Sequence, residues 1–242
     1  MIDIKGRSQF NQNGRDIWVS QQASSIPSGS KVLDAGAGAG RYRRIFGHCD
    51  YRAQDFGQEP STIGKYAKLD YESDITAIPV PDESFDVILC TEVLEHVPEP
   101  IAAIREFARI LRPSGTLLLT APLGSRLHQE PYHFYGGFTF HWYKKFLSET
   151  GFIVESIEPN QGFFSKFAQE ASYYSTSIDP RRTRAIGWSR WLMVSALWLI
   201  TLPLFRFVLP LAGFVLDRYK LASDDTVGYH VVAHKKAAAT DA

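Results

Sequence analysis

Cysteine is scarce in this chain: 242 residues hold two, Cys49 and Cys90. Two such residues make neither a disulfide framework nor a cysteine-based metal cluster. Cys90 lies in an apolar run and reads as a buried thiol. An excess charge of either sign is also missing, since 26 Lys and Arg balance 26 Asp and Glu. With no long basic run, bulk attraction to nucleic acid is not expected. The stretch Met1–Asp16 is polar and lacks the apolar centre of a signal peptide, so a reducing, cytoplasmic compartment is expected. Internal repeats are absent, as are low-complexity tracts apart from the alanine-rich tail. What remains is 45% hydrophobic and 21% charged, the balance of a globular chain of one domain or one domain with an appendage.

The order of patterns along the chain is that of an α/β protein. Asp16–Ile26 reads as a weak helix, and Pro27–Ser30 as a turn. Lys31–Ala35 is a short strand that runs into the glycine-rich stretch Gly36–Gly40, after which a helix is expected from Arg41. Tyr51–Asp55 reads as a second strand and Lys68–Ser73 as a weak third. Phe85–Cys90 is a continuous apolar run, as expected of a strand covered on both faces. Pro100–Leu111 carries Ile101, Ile104, Phe107, Ala108 and Leu111 at helical spacing and is stopped by Pro113-Ser114-Gly115. Thr116–Ala121 is the next buried strand, Thr139–Thr150 a helix, Phe152–Ile157 a strand and Val227–His234 the last strand. This alternation predicts a Rossmann-like, mostly parallel sheet with helices on both faces. The expected division is a helical lead-in over 1–30, a core over 31–158, an apolar helical insertion over 159–226 and a closing strand with its tail over 227–242.

That insertion is the unusual segment. From Trp191 to Leu216 the single charged residue is Arg206. Pro203 and Pro210 are expected to break it into pieces too short to span a bilayer. A helical hairpin lying in the membrane interface is therefore expected over 188–216. Trp188, Trp191 and Trp198, with Arg181, Arg182, Arg184 and Arg190, suit the headgroup zone. The alternative readings are a buried helical cap and a dimer face.

The chemistry is carried first by Val32-Leu33-Asp34-Ala35-Gly36-Ala37-Gly38-Ala39-Gly40. A strand ends, and the glycines let the backbone turn tightly and approach a ligand. Nicotinamide and flavin domains share such a loop, so alone it does not choose between cofactors. Asp34 just before it suits a ligand with an ammonium group and would repel a pyrophosphate. Asp55 ends the second strand, where a carboxylate accepts hydrogen bonds from both ribose hydroxyls. Asp74-Ile75 follows the third, placing an acceptor for an adenine amino group beside an apolar side chain. Three acids after three successive strands would line the carboxyl edge of the sheet.

These residues resemble the class I S-adenosylmethionine-dependent methyltransferases of the broad type 11 group. The resemblance is carried by LDAGAGAG (Leu33–Gly40), SDITAIPVPDESFDVILCTEVLEHVPEP (Ser73–Pro100) and REFARILRPSGTLLLTAP (Arg105–Pro122). It covers about residues 31–158 and the last strand. It implies a seven-stranded sheet whose last strand inserts antiparallel, with S-adenosyl-L-methionine as cofactor. It also implies cofactor contacts at Asp34, Gly36, Gly38, Asp55, Asp74, Ile75 and Thr91, and Gly40 belongs to the same loop. Ser114 stands where the family usually has a second glycine. A narrower resemblance, through His128–Phe138, is to bacterial members found with surface-polysaccharide biosynthesis.

Transfer to an oxygen needs a base. The candidates are His96, in the turn after strand four, and His128 and His133, in the loop after strand five. Glu92 and Glu95 follow the same strand as His96, and Glu95 is expected to face solvent. Tyr132, Phe134, Tyr135, Phe138 and Trp142 form an aromatic cluster, read as packing with a substrate wall as the alternative. No metal is assigned. The expected acceptor is a small molecule or an oxygen of a glycan, lipid or lipid-linked intermediate, met in the cytoplasm or at the inner face of the membrane. The competing readings are a non-catalytic binding or scaffold protein and a nicotinamide-dependent oxidoreductase.

Overall fold

Strands that read as unbroken apolar runs lie at the centre of a seven-stranded sheet, where both faces are covered. The computed structural model describes residues 10–58, 66–177, 187–219 and 225–237, leaving aside the side chains of 175 and 176. Its elements are α1 (Phe10–Ser25), β1 (Lys31–Ala35), β2 (Asp50–Asp55), β3 (Tyr71–Glu72), β4 (Phe85–Thr91), α2 (Pro100–Ile110) and β5 (Leu111–Pro122), then α3 (Phe140–Glu149), β6 (Phe152–Pro159), α4 (Phe163–Ser177), α5 (Trp188–Pro203), α6 (Leu209–Asp217) and β7 (Gly228–Lys235). The strand order is β3-β2-β1-β4-β5-β7-β6. Neighbours from β3 through β5 pair in parallel, and β7 pairs antiparallel with β5, from Thr116↔His234 to Pro122↔Gly228.

Alternate residues of the central strands feed two cores, because side chains point to opposite faces of a sheet. Leu33, Ile88, Leu117 and Leu119 pack with Ile104 and Phe107 of α2 on one face. Val32, Val87, Leu89 and Leu118 pack with Trp18 and Val19 of α1 on the other. Pro100 opens α2 at a position that needs no N–H. Thr139 caps α3, its side chain accepting from the Trp142 amide at 3.3 Å. The strand order reverses direction between β1 and β4, and sheets of this kind bind ligands beyond the strand ends at that point.

Three expectations are corrected. No regular helix follows Gly40. The chain closes in successive single turns, such as Gly40 N to Ala37 O, Arg43 N to Gly40 O and Cys49 N to Phe46 O. Glycines at both ends of this short stretch, and hydrogen bonds mostly three residues apart, leave no room for a propagated α-helix. Tyr42 and Phe46 are buried there nonetheless. The third strand shrinks to Tyr71–Glu72.

The apolar insertion is not a hairpin broken at its prolines. Trp188–Asp217 is one helix of 30 residues. Leu204–Val208 forms a π-turn after Pro203, with the Leu209 amide reaching back to Leu204 O, and Pro210 falls in the first turn of α6. The wider turn absorbs the missing proline N–H groups without ending the helix. Arg181, Arg182 and Arg184 lie outside the described residues.

The chain divides into two compact units. One comprises Arg15–Glu158 with Gly228–Ala242, and the other Met1–Gly14 with Pro159–Val227. The expected lead-in over 1–30 is thus shared between them. The second unit is held by α4 and α6, and by Thr226, whose hydroxyl donates to Asn160 O at 3.0 Å and Gln161 O at 2.7 Å.

Candidate active site

A cleft with a volume of about 300 Å³ opens at the carboxyl edge of the sheet. Its floor is the turn after β1. Gly36 has φ +76, and a Cβ there would come within 2.4 Å of Val93, so only glycine fits. The amides of Gly36 and Ala37 both donate to Gln54 O at 2.9 Å, which ties the turn to β2. A Cβ on Gly38 would meet nothing within 4 Å, so the backbone is open to a ligand there.

Asp55 lines the cleft at the end of β2. One of its oxygens accepts from the Gly38 amide at 2.9 Å and the other from the Gly57 amide at 3.2 Å. Those bonds fix the carboxylate at the lip of the glycine turn. Asp74 and Ile75 line the next part. Asp74 Oδ1 accepts from the Thr76 amide and hydroxyl, both at 2.8 Å, so this residue is a turn cap as well as a wall of the cleft.

Asp34 sits elsewhere. Its carboxylate is 2% exposed, accepts a short hydrogen bond from the Tyr51 hydroxyl and is not among the residues lining the cleft. Burial pushes its pKa up to about 7, against the lowering by the Tyr51 hydrogen bond, and the Asp55 charge adds to the rise. The carboxyl group read as a partner for an ammonium is thus engaged by Tyr51. Strand alternation turned the side chain onto the face occupied by Tyr51. Gly40, in a turn against Ala67, and Thr91, paired with Thr120 across the sheet, are not cleft-lining either.

The far wall comes from the turn after β4 and the loop after β5. Glu92, Val93, His96, Tyr132 and Phe134 line it. Glu92 has φ +54 and Gln129 φ +52, backbone conformations that cost a non-glycine residue about 1–3 kcal/mol and cluster at functional sites. Glu92 is held by the Thr120 hydroxyl at 3.0 Å and by Arg15 at 3.4 Å.

The three sequence-selected histidines converge. Ring centroids lie 4.7 Å apart for His96 and His128, 4.7 Å for His128 and His133, and 5.7 Å for His96 and His133. His96 alone of the three lines the cleft. Its Nδ1 sits 2.5 Å from Tyr132 O, so that nitrogen carries the proton and donates, leaving Nε2 as the basic atom, 3.8 Å from Glu95. His128 Nδ1 likewise faces Arg126 O at 2.7 Å, and His133 Nε2 faces the Ser125 hydroxyl at 2.9 Å.

Glu95, expected in solvent, is 1% exposed. Burial and the nearby Glu92 push its pKa well above the usual carboxylate range. One oxygen each from Glu95 and one nitrogen each from His96 and His128 come within 4.8 Å of one another, a set that can hold a proton or a cation. The aromatic cluster splits. Tyr132 and Phe134 form cleft wall, and Phe138 and Trp142 pack into the core at 4.6 Å between centroids.

Sequence reasoning missed Gln54, Phe56, Tyr66, Gln129 and Arg15. Gln54 and Phe56 flank Asp55 and were within reach of its motif. Arg15 meets Glu92 only through folding and leaves no local signal.

The order of the strands, the antiparallel β7 and the glycine turn below a nucleoside-sized cleft define a doubly wound domain built to hold a nucleoside cofactor. Residues 33–119 match the family described as a methyltransferase domain. The chain resembles the ubiquinone biosynthesis O-methyltransferase of Pseudomonas aeruginosa, with 32% identity over 114 residues, 43% of this chain and 48% of that protein. It also resembles that of Aliivibrio fischeri, with 34% identity over 97 residues, 36% of this chain and 42% of that protein. The chain therefore spans about half the length of the curated relatives it matches. Among solved structures, the cyclase SpnF superposes with a TM-score of 0.55 at 21% identity, covering 93% of this chain and 81% of that one. A putative methyltransferase from Bacillus halodurans gives 0.53 at 18%, covering 92% and 99%. These likenesses establish the fold.

Proposed function

We propose that the chain transfers a methyl group from S-adenosyl-L-methionine to an oxygen of a glycan, lipid or lipid-linked acceptor. The observation that carries this reading is the cleft itself, where Gly36, Gly38, Asp55, Asp74 and Ile75 converge from three successive strand ends. Its volume is at the lower end of what a nucleoside ligand needs. The residues fit the cofactor. The Gly38 backbone leaves open space, Asp55 is fixed to accept from a ribose diol, and Ile75 offers an apolar face beside the Asp74 acceptor.

The cofactor supplies a sulfonium methyl, so the protein's part is to orient the acceptor and take its proton. His96 would take the proton of the acceptor oxygen, and the bound cofactor would supply the methyl carbon and leave as the neutral thioether. His96 suits this part as the cleft-lining imidazole held by Tyr132 O, with Glu95 beside it to receive or stabilise the proton. His128 and His133 stand behind it as positioning residues. The name of the matching relatives, O-methyltransferase, supports oxygen as the acceptor atom. The apolar helix Trp188–Asp217 supports an acceptor met at the inner membrane face, with the chain cytoplasmic and peripheral there.

Isothermal titration with S-adenosylhomocysteine tests the cofactor; absence of binding by folded protein ends the proposal. With an acceptor in hand, His96→Gln is expected to lower kcat by about 10²–10⁴-fold. It should also remove the acid-side limb of the pH–rate profile, with cofactor affinity kept. A second reading, cofactor binding without methyl transfer, is favoured by the likeness to a cyclase on the same fold. Binding without turnover over a broad acceptor panel would support it. Fluorescence titration with NADH disposes of the nicotinamide reading.

A further inference from the structure

The helix Trp188–Asp217 is 30 residues long with a mean hydropathy of 2.1, and only 11% of its apolar stretch is buried. Its exposure is ordered. Leu192, Ile200, Leu204, Phe207, Leu211 and Val215 are exposed and recur three, four or eight residues apart, so they share one face. A soluble helix shows the reverse, with its apolar stripe inward. Along this face no charge interrupts the stripe, whereas Arg190 and Arg218 stand exposed near its two ends.

Within the same unit α4 covers only part of the helix. Asp217 accepts from the Gly162, Phe164 and Ser165 amides at 3.0, 3.1 and 3.0 Å, capping the start of α4. Gly213 lies against Phe164, where a Cβ would come within 2.5 Å of its carbonyl, and the Tyr174 ring packs tilted against Phe205 with centroids 4.2 Å apart. Rising numbers on α4 meet falling numbers on the long helix, so the two run antiparallel. The end of α4 reaches only the start of this pairing, and α5 buries no residue at all.

By length the helix, at about 45 Å, could cross a hydrocarbon core of about 30 Å. The sheet forbids a single crossing. The chain leaves the sheet at Pro159 and rejoins it at Gly228, where β7 pairs with β5 over seven registered residue pairs. One crossing would put β7 on the opposite side of the bilayer from its partner strand. Among the described residues no second helix is long and apolar enough to bring the chain back.

We propose that Trp188–Asp217 is a one-leaflet anchor, lying along an anionic bilayer surface with the Leu192–Val215 face sunk among the acyl chains and both ends on the cytoplasmic side. The occupant is lipid rather than protein for two reasons. The stripe is uniformly apolar over its whole length, and the segment that leads into it, Arg181, Arg182, Arg184 and Arg190, is basic in sequence, complementary to anionic headgroups. The inference extends the membrane-side acceptor proposed above, and the two fail separately, since cofactor titration does not depend on lipid.

The test is flotation of the full-length protein with preformed vesicles. Binding is expected to vesicles of phosphatidylcholine mixed with phosphatidylglycerol, weaker to phosphatidylcholine alone, and to fall as salt rises. The double variant Ile200→Glu, Leu204→Glu is expected to lose partitioning by about tenfold or more, with S-adenosylhomocysteine affinity unchanged as proof of folding. In the Cys49→Ser background, Ser189→Cys and Tyr219→Cys are each expected to react with an impermeant maleimide added outside intact vesicles. Reaction of either only after detergent means a crossing and overturns the proposal. So does wild-type protein that binds cofactor but does not float. Wild-type protein that forms a dimer undone by the double variant, again without floating, assigns the stripe to a second copy instead.

Discussion

Asp34 shows how one side chain can carry a motif and yet stand outside the cleft. Its carboxyl has a pKa raised by burial from 3.8 to about 7 and is held by the Tyr51 hydroxyl. A raised carboxyl stabilises the fold fully below its unfolded value, and that contribution is lost as pH rises through the folded value. Asp34→Asn is therefore expected to make the ligand-free protein more stable at pH 8 by a few kcal/mol, with little change at pH 4, by urea unfolding at the two pH values. Equal effects at both would show that the carboxyl is already ionised in the fold. If Asp34 reaches the cofactor only through neighbouring backbone, the same variant should change S-adenosylhomocysteine affinity by less than about tenfold. His96, His128 and His133 belong to two separate segments, and their convergence within 5.7 Å of one another follows from loops that leave adjacent strands β4 and β5.

At the scale of elements, the turn between α2 and the long part of β5 carries a residue in a conformation that favours glycine. Ser114 has φ +61. An L side chain there costs roughly 1–2 kcal/mol, partly offset by the greater freedom glycine has when unfolded. Ser114→Gly is expected to raise stability by about 0.5–1 kcal/mol, read as a higher denaturant midpoint at unchanged slope. No change would place the strain elsewhere in the turn. The long helix teaches the opposite lesson about local rules. Pro203 and Pro210 predict breaks, but a π-turn between them keeps one axis, because the widened ring needs neither missing donor.

The sheet unit as a whole is closed by the stacking of Trp18 in α1 on His230 in β7, with ring centroids 4.8 Å apart. Burial, with the Arg15 charge adding, lowers the His230 pKa from 6.5 to about 4. The unfolded chain thus binds a proton that the folded one resists. Stability held above pH 6.5 is lost as pH falls towards 4, by on the order of 3 kcal/mol. His230→Gln is expected to flatten the stability profile over that window, measured by thermal unfolding, and an unaltered acid slope would assign the loss to other groups.

From residue types and their spacing alone came the order of the strands, the helices at Pro100–Ile110 and Phe140–Glu149, the glycine turn, the acids at Asp55 and Asp74, and the apolar character of 188–216. Each of these is local, written in periodicity, in backbone freedom or in a carboxylate at a strand end. Folding alone decided the inward turn of Asp34, the burial of Glu95, the reach of Arg15 to Glu92 and the unbroken course of the long helix. Those depend on which face a strand presents and on what distant segments bring beside it. A single chain position does not encode either until the sheet is assembled.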